Sequence, residues 1–324
     1  MTDPIELLLL LALPASGKSE VRRYLASLSP AECQENFGIG PIVQLDDFPY
    51  VHMMRRISDE MTARGEVGAF FISPALPFRE PRDWGTLIHL LNEDYADLVA
   101  RHRPSPPSAA GWLFERFDAA RAKVGTPPAL RTLPADLRRE LANALEAEAA
   151  DLLHKKNAEI PEDLTGKTVV MEFARGGADG SPLPLPAPYG YQYSLAQLEE
   201  AILARAAILY IWVTPQESRR KNAERADPDD PGSILHHGVP NAVMYGDYGC
   251  DDMAYLLEQS GRPDMVRISQ KGRDYYLRVG RFDNRVDKTT FVREDSSRWR
   301  PEDIAELRQG LQAAFSPLVN RHWD

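Results

Sequence analysis

The sequence predicts an α/β protein: a parallel sheet flanked by helices, with a helical insertion between its second and third strands. Three observations carry this. An apolar run, Ile5 to Leu11, has the character of a strand buried on both faces. It breaks into Pro14-Ala15-Ser16-Gly17-Lys18-Ser19 and continues as a helical pattern. Further apolar runs at Pro41 to Leu45, Lys167 to Phe173 and Ala207 to Val213 alternate with helical stretches.

The segment from Ala12 to Ser19 fits the phosphate-binding pattern G-x-x-x-x-G-K-[ST] at every fixed position but the first, where Ala12 replaces glycine. Such a loop wraps a polyphosphate with backbone N–H groups while the helix beginning near Lys18 turns its positive end toward the anion. Pro14, Ala15, Ser16, Gly17, Lys18, Ser19 and Glu20 are therefore the candidate nucleotide-binding residues. Lys18 would reach the β- and γ-phosphates, and the Ser19 hydroxyl would ligate Mg²⁺. Val21, Tyr24, Leu25 and Leu28 keep helical spacing until Pro30, where the pattern is expected to stop. A second Gly-Lys-Thr, at Gly166 to Thr168, has Pro161 in place of the first glycine and no preceding strand, and is set aside.

The second strand ends in Asp46-Asp47-Phe48, at the carboxyl edge where open α/β sheets collect ligands. Strand alternation would send the two carboxylates to different sides, leaving one toward the phosphates. The third strand ends in Glu172 before Ala174-Arg175-Gly176-Gly177.

Residues 51–165 interrupt the α/β alternation with helices: one behind Asp83 as N-cap, with Trp84, Leu87, Ile88, Leu91, Tyr95 and Leu98 as its stripe, one over Trp112 to Lys123, and one from Pro134. The chain thus divides into a first core part (1–50), the insertion (51–165) and a second core part (166–324). Ser194 and Gln197 read as a capping box, and Thr214-Pro215-Gln216-Glu217 opens a helix carrying Arg219, Arg220, Lys221 and Arg225. A loop over about 225–240 follows it. Met265 to Ser269 and Asp274 to Phe282 form a hairpin across Gln270 to Arg273. A last helix runs from Pro301 to just before Pro317.

The loop with Asp46-Asp47-Phe48 resembles the kinase branch of the P-loop NTPases, closest in pattern to the uridine kinase, phosphoribulokinase and bacterial pantothenate kinase group, whose second strand ends in Asp-x-Phe. The resemblance implies an ATP- and Mg²⁺-dependent transfer of a phosphoryl group to a small-molecule hydroxyl. Asp46 would accept the hydroxyl proton, Ser19 with Asp47 or Glu172 would hold the hydrated metal, and Glu172 would stand where a Walker B acid does. Arg219 and Arg225 would close a lid over residues 215–240, the insertion would hold the acceptor, and Phe282 to Arg285 would approach the adenine. Two rival readings are a P-loop ATPase or nucleotide switch working through a protein partner, and a polynucleotide kinase.

Composition bounds the choice. With 324 residues, 43% of them hydrophobic, a large core is available. A formal charge of −10 argues against broad nucleic-acid or acidic-membrane binding. Cys33 and Cys250 are the only cysteines, without a C-x-x-C spacing, which suits a reducing cytoplasm. No run is long enough to span a bilayer. His236-His237 lacks companion ligands for a metal site. The acceptor, the choice between ATP and GTP, and the oligomeric state stay open.

Overall fold

The computed structural model describes residues 3–225 and 238–319. Its centre is a six-stranded sheet in the order β2-β3-β1-β4-β6-β5. The strands are β1 (Leu7–Leu11), β2 (Ile42–Asp46), β3 (Thr168–Phe173), β4 (Ala206–Trp212), β5 (Met265–Gln270) and β6 (Arg273–Asp283). All neighbours are parallel except the β5/β6 hairpin, which closes one edge. Every residue of β1 is buried, as a central strand covered on both faces requires.

Helices cover both faces. Leu8, Leu10, Val170, Leu209 and Ile211 face α1 (Lys18–Ala26), α2 (Pro30–Phe37) and α12 (Pro301–Val319). Leu7, Leu9, Leu11, Met171 and Ile208 face α4 (Asp83–Ala100), α7 (Gly190–Ala196), α8 (Glu200–Leu203) and α11 (Met253–Gln259). Gly280 lets α12 approach β6, because a Cβ there would run into the Ala314 carbonyl.

Four helices separate β2 from β3: α3 (Phe48–Ala63), α4, α5 (Ala109–Lys123) and α6 (Ala135–Glu159). They share a core of their own around Met54, Ile57, Phe70, Phe114, Phe117 and Leu145. α4 belongs to both layers, with Ile88 and Leu91 on the sheet and Trp84, Leu87 and Leu90 in this second core. Buried ion pairs tie the layer together: Arg121 with Asp83 at 2.8 Å, and Arg116 with Asp94 at 2.8 Å.

Several local expectations give way to tertiary context. Pro30 follows the end of α1 at Ala26, as expected, and also opens the next helix. It occupies the first helical position behind Ser29, whose side chain and that of Glu32 form a reciprocal capping box. Asp83 is not an N-cap; it lies inside the first turn of α4, where its carboxylate is fully buried against Arg121 and Thr86. No capping box forms at Ser194, which is buried inside α7. Pro317 does not end α12, which runs on to Val319, since a proline near a helix end forfeits few bonds. α3 itself was not expected from the sequence. Among the described residues no helix is long and apolar enough to cross a membrane.

Candidate active site

At the carboxyl ends of β1, β2 and β3 a cleft opens. It is lined by Pro14 to Ser19, Arg22, Asp46, Asp47, Phe48, Val51, Arg55, Trp84, Glu172, Phe173, Ala174, Val239, Pro240, Val243 and Tyr248. The parallel register makes this meeting, because Leu10 pairs with Glu172 and Asp46 pairs with Glu172 across β1-β3-β2. Neighbouring strands lie about 4.8 Å apart, so the loop after β1 and the acids ending β2 and β3 share one rim.

The loop after β1 is held from three sides. Gly17 has φ 105°, in the left-handed region. A Cβ on it would stand 2.6 Å from Thr289 Oγ1, so only glycine fits. Asn284 Nδ2 donates to the Ser16 carbonyl at 2.8 Å, and Ser218 Oγ donates to the Pro14 carbonyl at 2.7 Å. The Ser16 hydroxyl donates to the Leu13 carbonyl. Lys18 Nζ reaches back to the carbonyls of Ala12 and Leu13 at 3.4 and 3.5 Å. Ala15, Ser16 and Gly17 are buried, yet among the described residues their backbone N–H groups donate to no protein acceptor. Buried amides without partners are costly, and together with the start of α1 they form a concave set of donors suited to an anion.

Three carboxylates face this loop. Asp46 ends β2, and its Oδ1 accepts the Phe48 N–H at 2.9 Å. Burial first, then the charges of Glu172 and Asp47, push its carboxyl up to about 7. Asp47 leaves the strand with helical dihedrals (φ −84°, ψ −14°), so strand alternation does not separate the pair and both acids line the cleft. Arg175, itself buried, donates to Asp47 Oδ2 at 2.7 Å and to the Trp84 carbonyl at 3.1 Å. Burial pushes Asp47 up while Arg175 pulls it down. Glu172 Oε2 lies 3.1 Å from Arg22 Nε without hydrogen-bond alignment, so both atoms are buried and unsatisfied.

Other predicted residues fall elsewhere. Glu20 turns away from the cleft and pairs with Arg293 at 2.6 Å. On α9 (Pro215–Arg225), Thr214 caps the Glu217 N–H as expected, but Glu217 pairs with Arg220 instead of closing the box. Lys221 is buried against Asp287 at 2.6 Å. Arg219 is not part of the lining; it lies over the Tyr245 ring at 4.5 Å, with Asp179 3.8 Å away. Asn222 exchanges two 2.8 Å hydrogen bonds with the Val239 backbone, tying the start of the expected lid to its end. The Arg225 side chain, His236 and His237 lie outside the described residues.

Sequence reading missed several contributors, among them Arg22, Arg55, Trp84 and Tyr248. Arg22 follows Lys18 by four residues, a helical spacing that could have flagged it. Arg55, Trp84 and Tyr248 come from distant segments and leave no local signal. Among the described residues no three His, Cys, Asp or Glu side chains converge as a metal site. A hydroxyl with one or two carboxylates is nevertheless the hard donor set that Mg²⁺ takes beside phosphates, keeping most of its water. Comparison with protein-family models, with curated proteins and with solved structures found no match.

Proposed function

We propose that this chain is a P-loop phosphotransferase that uses ATP and Mg²⁺ to phosphorylate a hydroxyl of a small molecule. The observation that carries the reading is a single cleft holding both an anion-suited loop with Lys18 and a carboxyl, Asp46, that titrates near neutrality. In this reading the amides of residues 15–17 and Lys18 hold the β- and γ-phosphates. Ser19 with Asp47 or Glu172 would hold the metal; Asp47 has Arg175 on one oxygen and Glu172 has Arg22 beside one of its own. When bound, Mg²⁺ would neutralise phosphate charge. Asp46 takes the proton of the acceptor hydroxyl as its oxygen bonds to the γ-phosphorus and the bond to the ADP oxygen breaks. A base with a pKa of about 7 suits that task near neutral pH.

The helices between β2 and β3 supply the wall facing the phosphate loop and hence the acceptor side. The expected lid over residues 226–237 lies outside the described residues, and the loop from Asp283, braced on Ser16 through Asn284, would lie near the adenine.

A thermal-shift screen with ATP, GTP and Mg²⁺, followed by an acceptor panel read through ADP release, tests the proposal. ATP should raise the melting temperature by mass action. Lys18→Ala should abolish both the shift and turnover while the fold persists. ATP binding with no acceptor dependence would transfer the assignment to an ATPase or switch.

A further inference from the structure

The cleft is walled on its acceptor side by one face of α3. Phe48, Val51 and Arg55 follow one another at helical spacing along it, and all three line the cleft. Arg55 differs from most arginines of this layer. Arg56, Arg82, Arg116, Arg121 and Arg175 each pair with a carboxylate within 3.1 Å.

Arg55, by contrast, has no carboxylate within ion-pair distance among the described residues. It donates once, to the Pro74 carbonyl at 2.8 Å, and its guanidinium lies 4.2 Å from the centre of the Phe71 ring. A guanidinium carries five N–H donors in a rigid fork, so most of them remain open. The ring and the carbonyl fix its plane, and burial lowers its basicity without removing its charge. The carboxylates it senses are Asp59, on its own helix, and Asp247, next to Tyr248 in the chain; neither reaches ion-pair distance. A half-buried, positioned cation with no ion-pair partner among the described residues is costly unless an anion visits it.

We propose that Arg55 is the specificity-determining residue of the acceptor subsite, and that the acceptor carries an oxyanion, a carboxylate or a phosphate monoester, in addition to its reacting hydroxyl. This rests on the phosphotransferase reading only for the word acceptor; the anion site stands on its own geometry. Roughly 10 Å of helix axis separates Phe48, beside the Asp46 carboxylate, from Arg55. The hydroxyl and the oxyanion therefore sit at opposite ends of the molecule, and its middle lies along the apolar wall of Val51, Trp84 and Tyr248. A neutral nucleoside or an uncharged sugar would leave the guanidinium unmet and bind poorly.

Two probes test the site without an identified acceptor: inorganic phosphate and succinate, titrated at fixed ionic strength and read by thermal shift. The protein is the full chain bearing Lys18→Ala, which weakens competing binding at the phosphate loop, with and without Arg55→Gln or Arg55→Lys. The expected result is a saturable shift with at least one probe that weakens tenfold or more in R55Q and is largely kept in R55K. A preference for phosphate assigns a phosphate monoester, and a preference for succinate assigns a carboxylate. No saturable shift, or one indifferent to Arg55, overturns the proposal. If the Arg55 variants do not melt cooperatively, the Nε–Hε resonance of Arg55 in the parent protein decides. Movement with either anion supports the site, and none refutes it. A parallel ATP titration of the wild-type chain separates the two ideas, because a missing ATP shift removes the phosphotransferase reading and leaves the anion result untouched.

Discussion

Asp46→Asn should make the protein more stable at neutral and alkaline pH while removing its proposed activity. The Asp46 carboxyl is pushed up from 3.8 to about 7, chiefly by burial and then by Glu172 and Asp47. A group whose folded pKa is raised binds more protons in the folded state, so stability falls as pH rises between the two values. At 1.36 kcal/mol per pKa unit, holding Asp46 ionised above pH 7 costs the folded state up to about 4 kcal/mol. Asparagine keeps the Oδ1 that accepts the Phe48 N–H, at 2.9 Å in the wild type, and removes the charge. Urea unfolding at pH 4, 6 and 8 measures the effect. The expected gain is about 2–4 kcal/mol at pH 8, shrinking to below about 1 kcal/mol at pH 4, where the folded carboxyl is protonated and the unfolded one, near its ordinary 3.8, is about half protonated. A variant no more stable than wild type at pH 8, or equally improved at pH 4, would refute the electrostatic reasoning for this cluster.

Other perturbations follow from single contacts. Arg175→Met leaves Asp47 buried without its 2.7 Å partner and should cost about 3–5 kcal/mol at pH 7. The loss should shrink at acid pH as Asp47 takes a proton, and Asp47→Asn in the same chain should recover much of it; denaturant melts of the double-mutant cycle check both. Gly17→Ala must adopt φ near 105° and meet Thr289 at 2.6 Å, so about 1–3 kcal/mol of stability and the ATP-induced thermal shift should be lost together. Ser29→Ala removes one half of the capping box of α2 and should cost about 1 kcal/mol by thermal or urea unfolding, with nucleotide binding unchanged because α2 does not line the cleft.

What the sequence determined by itself was the frame. Ile5 to Leu11 could only be a buried strand, Gly17-Lys18-Ser19 follows it where a helix begins, and the hairpin around Gln270 to Arg273 was legible from alternation. These are local signals, in which period and turn chemistry are written within a few residues. The same locality misled at Ser194 and Asp83, because a polar side chain can cap a helix or sit inside it, and only its neighbours choose. The tertiary structure alone decided which charges compensate one another. Asp47 is read in sequence as a candidate metal ligand, but Arg175, 128 residues away, occupies one of its oxygens. Arg219 reads with Arg225 as a lid arginine, yet it leans on Tyr245, while Arg55, in a segment with no motif, lines the cleft without a carboxylate partner among the described residues. Pairing depends on distances between elements that pack from far apart in the chain. Burial then multiplies each unpaired charge, so the chemistry of the cleft belongs to the packed molecule, and the sequence supplies only its ingredients.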